Sequence, residues 1–323
     1  MNSDGSFGLS KTNRPNTILL VIVILGVIFC IVGGILIGGR TSYNGYEIVT
    51  DYTDCKRGSS EKMCKDVLKE TWTDCSCYIK IEINETMKKP VTVLYELESY
   101  DQVFSHYFKS RDDNQLAGHL TPKLSDSCGS FNYTNTTEGI KPIAPCGELA
   151  DAMFNDTFTL QTNNEYVPYF RYGLISEDEK KNFKNPPGQN LSEVFKNFSK
   201  PINWKKNKWE LDTDIPENNG FQNEAFIIWM NTELKRKPAW RVNHTELYEH
   251  GVPSANYTLR VIYAYPTSRY DGRRKVIISS LQKIDHPTKF GFGIFILIIG
   301  LLSVILAVPL LIRRRSTINW CNK

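Results

Sequence analysis

Apolar residues along this chain fall into two regimes. Ile18–Gly39 and Phe290–Ile312 are stretches of 22 and 23 residues without a charged side chain, whereas the sequence between them mixes apolar and polar positions throughout. At about 1.5 Å rise per residue, roughly 20 such residues cross a hydrocarbon core of about 30 Å. Both are therefore predicted transmembrane helices. The alternative for the first is a cleaved signal peptide, since Lys11 and Arg14 precede it and Gly38, Gly39 and Ser42 follow. Its apolar run exceeds the roughly 7 to 15 residues of a signal h-region, which favours a retained anchor. The alternative for the second is a buried core helix, but Arg313, Arg314 and Arg315 follow it directly and read as a stop-transfer signal.

Between the two spans the dominant period is two. Tyr257, Leu259, Val261, Tyr263 and Tyr265 alternate with more polar positions, and β-branched or aromatic runs occupy Cys77–Ile83, Val91–Leu97, Ala225–Met230 and Lys275–Leu281. Such patterns predict half-buried antiparallel strands. Helical pieces are few and short, at Gly147–Phe154 and Leu191–Phe198. Turn residues cluster at Asn185–Gly188 and Asp212–Gly220, where Gly, Pro, Asn and Asp favour reversals. Trp204, Trp209 and Trp229 around these turns suggest continuous packing and hence one domain. The expected fold is a membrane protein with two transmembrane α-helices flanking a mainly antiparallel, sandwich-like β ectodomain with α+β margins.

Charge then sets an orientation. The chain carries a net +4, yet residues 40–289 hold 33 Lys and Arg against 34 Asp and Glu, so the excess lies in the tails. By the positive-inside rule both tails are expected in the cytosol. The segments are a cytosolic tail at 1–17, a span at 18–39, an ectodomain at 40–289, a span at 290–312 and a cytosolic tail at 313–323. No basic surface points to nucleic acid. Six of the eight cysteines (Cys55, Cys64, Cys75, Cys77, Cys128 and Cys146) lie in the loop, an even number that suits a disulfide framework in an oxidising compartment. Glycosylation sequons occur at Asn84, Asn132, Asn135, Asn155, Asn190, Asn197, Asn243 and Asn256, all inside the loop.

Catalytic constellations are scarce. The phosphate loop, the nucleophile elbow, the zinc helix and the Asp-Lys-Thr-Gly sequence that P-type ATPases phosphorylate are absent from the sequence. The strongest enzyme-like signal is Asp212 and Asp214, because a D-x-D pair can hold the divalent ion of a nucleotide sugar in a signal-anchored glycosyltransferase. The competing reading is a turn closed by carboxylate to backbone N–H bonds. His244, Glu246 and His250 match no helical ligand spacing, and no metal or cofactor is expected. Arg111 beside Asp112 and Asp113 suggests a local ion pair or a capped turn.

Eight strings occur in order: YFKSRDDNQL from Tyr107, PIAPCG from Pro142, MFNDT from Met153, FKNPP from Phe183, KPINW from Lys200, NNGF from Asn218, IWM from Ile228 and YDGR from Tyr270. With the two spans they make the chain resemble the cell-division-cycle-fifty (transmembrane-thirty) family, the β-subunits of type-IV P-type ATPases. The positions carrying the resemblance include Ser110, Arg111, Asp112, Asp113, Pro145, Gly147, Asn185, Pro186, Trp204, Asn219, Gly220 and Trp229. The resemblance implies a non-catalytic subunit that pairs with a type-IV P-type ATPase α-subunit and enables its folding, export and aminophospholipid translocation. It places the complex among membrane lipids from the endoplasmic reticulum to the Golgi, endosomal or secretory vesicles or the plasma membrane. It also implies the pairing Cys55–Cys77, Cys64–Cys75 and Cys128–Cys146. The chain departs from the family pattern at Ser176, Glu177, Asn231 and Asp285–Lys289, and before the first span. The alternatives are a stand-alone receptor or adhesion ectodomain, and the glycosyltransferase built on Asp212 and Asp214.

Overall fold

The computed structural model describes residues 14–321 apart from Arg40, Ser59, Trp72, Asp101, Val103, Phe104 and Asn164. The expectation resting on Lys11 lies outside the described residues. The chain divides into two compact units, one built from residues up to 44 and from 282 onward, the other from Gly45–Leu281.

The first unit is a helix pair with a short ladder. Helices Arg14–Gly38 and Pro287–Cys321 pack against one another. The first begins before its uncharged stretch and ends at Gly38, and the second extends beyond its stretch at both ends. Thr17–Gly38 and Pro287–Arg313 are long and apolar enough to cross a membrane. Glycines allow the close approach. A Cβ on Gly33 would lie 2.8 Å from the Leu297 backbone nitrogen, and one on Gly300 would lie 2.7 Å from the Gly26 carbonyl oxygen. Small residues at such a seam let helix backbones meet, which is how packing is gained where lipid removes the hydrophobic drive. Away from the seam, side chains such as Ile18, Ile35 and Leu306 face outward, as lipid contact requires. Strand Thr41–Asn44 leaves the first helix and pairs antiparallel with Gln282–Asp285, from Thr41 opposite Asp285 to Asn44 opposite Gln282.

The second unit holds two larger antiparallel sheets, besides the two-stranded pairs Met87–Lys88 with Gly251–Val252 and Tyr133–Thr136 with Gly139–Pro142. One has the order Tyr169–Phe170, Arg236–Val242, Thr92–Leu97, Arg274–Ser279, Glu47–Asp51. The other runs Cys75–Ile83, Ala255–Tyr263, Thr157–Thr162, Glu165–Tyr166. Strand Ala255–Tyr263 shows why alternation forms a sheet. Tyr257, Leu259, Val261 and Tyr263 are buried, while the residues between them face the other side. Inner faces of both sheets feed one core, where Tyr52 meets Phe158 with ring centroids 5.5 Å apart and Trp240 Nε1 donates to the Phe158 carbonyl at 2.9 Å. Disulfides Cys55–Cys77 and Cys64–Cys75 tie helix Cys64–Thr71 and the segment before it to the edge strand, and Cys128–Cys146 closes a separate loop.

One segment departs from the sequence expectation. Ala225–Met230 was expected as a strand and is a helix, Glu224–Met230. Asn223 caps it, its Oδ1 accepting from the Phe226 N–H at 3.0 Å. Glu224 and Phe226–Met230 are all buried, so no polar face exposes the helical period and a short apolar run looks like a strand. The helices expected at Gly147–Phe154 and Leu191–Phe198 are single turns, Glu148–Asp151 and Leu191–Val194.

Candidate functional site

The residues singled out by the sequence converge on two knots in the large unit. The first surrounds the one-turn helix Glu148–Asp151. So short a helix leaves its last carbonyls short of helical partners, and aromatic side chains add bonds there. Trp229 Nε1 donates to the Leu149 carbonyl at 2.7 Å, Trp204 Nε1 to Ala150 at 2.8 Å and the Tyr265 hydroxyl to Ala152 at 2.9 Å. Indole and phenol suit this role because each buries a large apolar body behind one donor. The Asp151 carboxylate accepts from the Asn203 backbone N–H at 3.0 Å and also bonds the Asn203 side chain and Arg269.

The N-terminal side of this helix is held by the string beginning at Tyr107. Asp112 is the N-cap of helix Asp113–Leu116, with Oδ1 accepting from the N–H groups of Asn114 and Gln115 and Oδ2 from that of Ser125 at 2.9 Å. Gln115 bonds the other string at both ends of its amide, donating to the Ile143 carbonyl at 3.0 Å and accepting from the Cys146 N–H at 2.8 Å. The Ser110 hydroxyl accepts from the Glu148 N–H at 2.8 Å. Gly147 follows Pro145 and Cys146 with φ at +105°, and a Cβ there would lie 1.9 Å from the Ser110 carbonyl oxygen. Only glycine fits that approach. Arg111 pairs with Asp113 at 2.8 Å, a local ion pair.

In the second knot Asn185 grips the turn that begins at Asn219. Its Oδ1 accepts from the Phe221 N–H at 2.7 Å, and its Nδ2 donates to the Asn219 carbonyl at 2.9 Å and to Gln222 Oε1 at 3.0 Å. Gly220 has φ at +65°, and its Cβ position lies 2.2 Å from Asn185 Oδ1. Asn219 Nδ2 donates to the Trp209 carbonyl at 2.7 Å, and Pro186 is buried beside the knot.

The D-x-D pair takes the turn reading. Asp212 Oδ1 accepts from the N–H groups of Asp214 and Ile215, both at 3.2 Å, and Oδ2 from Asn218 Nδ2 at 2.7 Å. Both carboxylate oxygens are thus engaged in the turn, and Asp214 is exposed. His244 Nδ1 bonds the Tyr248 carbonyl at 2.9 Å and His250 lies on the surface. Among the described residues, the one grouping of potential metal ligands is Cys55, Cys64 and Cys77, whose sulfurs are in disulfides.

Several buried ionic groups were not anticipated. Asp156 accepts from the Tyr52 hydroxyl at 2.9 Å and from the Ala264 and Tyr265 N–H groups at 2.6 Å, and pairs with Arg274 at 3.0 Å, both side chains fully buried. Arg274 also donates to the Tyr265 and Tyr270 carbonyls and lies over the Tyr263 ring. Glu224 accepts from the Gly173 and Leu174 N–H groups and from Lys180. Lys208 donates to the Phe198 and Ser199 carbonyls, and Lys237 to those of Ile228, Trp229 and Asn231 at the end of helix Glu224–Met230. Burial pushes both ammonium groups down to about 7. No spacing rule links such partners, since Asp156 and Arg274 stand 118 residues apart.

The sequons are spread over the surface. Asn84, Asn135, Asn190, Asn197 and Asn256 are exposed, whereas Asn132, Asn155 and Asn243 are half-buried. Asn155 lies on the wall of a cleft of about 650 Å³ that Asp212, Asp214, Trp204 and Tyr169 also line.

The structure defines a class: a protein with two membrane-span helices and a disulfide-bonded antiparallel β unit whose singled-out polar residues hold the fold together. The chain belongs to the LEM3 (ligand-effect modulator 3) / CDC50 family, whose profile matches residues 40–317. It is 35% identical to mouse "Cell cycle control protein 50A" over 98% of this chain and 93% of that one. It is 32% identical to human "Cell cycle control protein 50B" over 74% and 70% of the two chains. A plant relative, the Arabidopsis thaliana "Putative ALA-interacting subunit 4", is 32% identical over 91% of this chain and 82% of its own length.

Proposed function

We propose that this chain is the accessory subunit of a type-IV P-type ATPase that translocates phospholipid, contributing structure rather than catalysis. Family membership across residues 40–317 carries the reading. It is supported by the name of the plant relative, which denotes a subunit that interacts with another protein. The charges that a reaction would need are absorbed elsewhere, Asp212 in its turn and Asp156 in its buried pair. In this reading the tails are cytosolic and the large unit is a lumenal or extracellular, glycosylated cap. The two helices lie against the pump's bundle and the cap holds its lumenal loops, so the pump folds, leaves the endoplasmic reticulum and cycles only as a heterodimer.

The test is copurification from mild detergent. Tagged full-length chain should bring down a multi-span ATPase in one-to-one stoichiometry, and reconstituted vesicles should move aminophospholipid only when both chains are present. Elution of the chain alone, with lipid transport by the pump unchanged in its absence, would overturn the proposal.

A further inference from the structure

The cleft beside Asn155 has an aromatic edge of Tyr169, Phe170 and Tyr172, in which Tyr169 is already packed by Trp240 and Arg171 while Tyr172 is the most open ring. Tyr172 is 41% exposed, and Tyr169 and Phe170 next to it are half-buried. Lys205, paired with Asp74, and the Asp212 to Asp214 turn supply polar groups to the same lining. Its volume of about 650 Å³ falls within the roughly 300–1,000 Å³ of pockets that enclose small ligands, and aromatic walls with a few polar groups are their usual lining.

Asn155 supplies the link to an occupant. Its Oδ1 is sealed from solvent without a hydrogen-bond partner. The amide nitrogen is not sealed in this way, and the half-buried residue is part of the cleft lining. That nitrogen is the one to which a sugar is joined, and Thr157 completes the sequon. Thr157 opens strand Thr157–Thr162, paired with Ile262. Transfer therefore has to precede closure of the strand, and the sheet then forms with the sugar already in place.

From this placement we infer that the cleft is a carbohydrate site filled from within, with the first sugars of an Asn155-linked glycan lying along the Tyr169, Phe170 and Tyr172 edge. The pyranose C–H faces cover the aromatic rings, and the ring hydroxyls and acetamido groups meet Lys205 and the Asp212 to Asp214 turn. Asn256, by contrast, stands exposed on its strand, and Asn190 is an exposed helix cap. The inference concerns this chain's own modification and does not depend on which pump it accompanies.

The experiment uses the full-length chain from a glycosylating eukaryotic host, purified in mild detergent. Peptide N-glycosidase is applied before and after denaturation, and each sequon is scored by the mass change of Asn to Asp. The Asn155 glycan should be present and released at least about tenfold more slowly than that of Asn256 in the native chain, because cleavage must wait for local opening. The difference should vanish on denaturation. Thr157→Val, which removes only this sequon, should raise the oxidative labelling rate of Tyr172 severalfold. An unmodified Asn155, or native release as fast as at Asn256, overturns the inference. So does Tyr172 labelling unchanged by Thr157→Val in a folded chain.

Discussion

Asp156→Ala is the most demanding test of how the large unit is held together. The substitution removes the partner of Arg274, whose guanidinium is fully buried, and strands the N–H groups of Ala264 and Tyr265 and the Tyr52 hydroxyl. Breaking a buried pair from one side costs about 3–5 kcal/mol, because the remaining charge is left uncompensated. The unpaired N–H groups, at about 1–3 kcal/mol each, overlap with that cost rather than add fully to it. Against a domain stability of about 5–15 kcal/mol the loss is severe. At about 2–4 °C per kcal/mol for a domain of 150–250 residues, the melting temperature should fall by about 10 °C.

Arg274→Met should cost less, since Asp156 keeps three donors, although the Tyr265 and Tyr270 carbonyls lose theirs. The double variant should recover part of the Asp156→Ala loss by removing the orphaned charge. Melting of full-length chains in detergent, followed by tryptophan fluorescence, measures all three. An Asp156→Ala chain that melts within about 3 °C of wild type, which corresponds to about 1 kcal/mol, would refute the account.

Three other outcomes follow from the geometry. Gly147→Ala should fail to accumulate or should melt far below wild type, since its Cβ would meet the Ser110 carbonyl oxygen at 1.9 Å; normal export and melting would contradict that packing. Lys208 and Lys237 are held at about 7 against an ordinary 10.5, so the unfolded chain binds more protons between these values. Their burial cost is therefore full below pH 7 and relieved as pH rises, so melting temperature should climb from pH 7 to 9 and climb less in Lys208→Met. A pH slope unaltered by that substitution would count against it. Asp212→Ala combined with Asp214→Ala should leave pump association and lipid transport intact, whereas loss of a measurable sugar transfer in a folded, normally exported double variant would establish the enzyme reading.

Much of the framework was legible because the spans and strand Ala255–Tyr263 have partners of a single kind, lipid or core, on each face. Helix Glu224–Met230 was not, because it is buried except at Ala225 and so has no polar face to show the period that distinguishes helix from strand. The string residues Trp204 and Trp229 stood out in sequence, but their acceptors did not. The carbonyls of Leu149 and Ala150 belong to the backbone, and any residue type could present them. Asp112 was partly readable, as a short acidic side chain before a turn of helix. The third bond from its carboxylate, to Ser125, depends on tertiary contact. Asn155 appeared as one sequon among eight, and only its place on the cleft wall sets it apart.

The distribution of charge bears on function through what it leaves over. Asp156, Arg274, Glu224, Lys208 and Lys237 are buried, and each is bonded to backbone groups, those of Asp156 and Glu224 lying 50 or more residues away in sequence. A buried ion pair is weak evidence for stability, since an apolar replacement is often as good. What these groups add is register: a carboxylate receiving two particular N–H groups tolerates no sliding of the segments that carry them. Long loops make up much of this unit, and loops held only by apolar contacts can repack. Polar knots at Glu148–Asp151, Asn185 and Asp156 restrict them to one arrangement. A rigid surface assembled from loops is what a subunit requires to recognise another protein, and it needs no reactive side chain to do so.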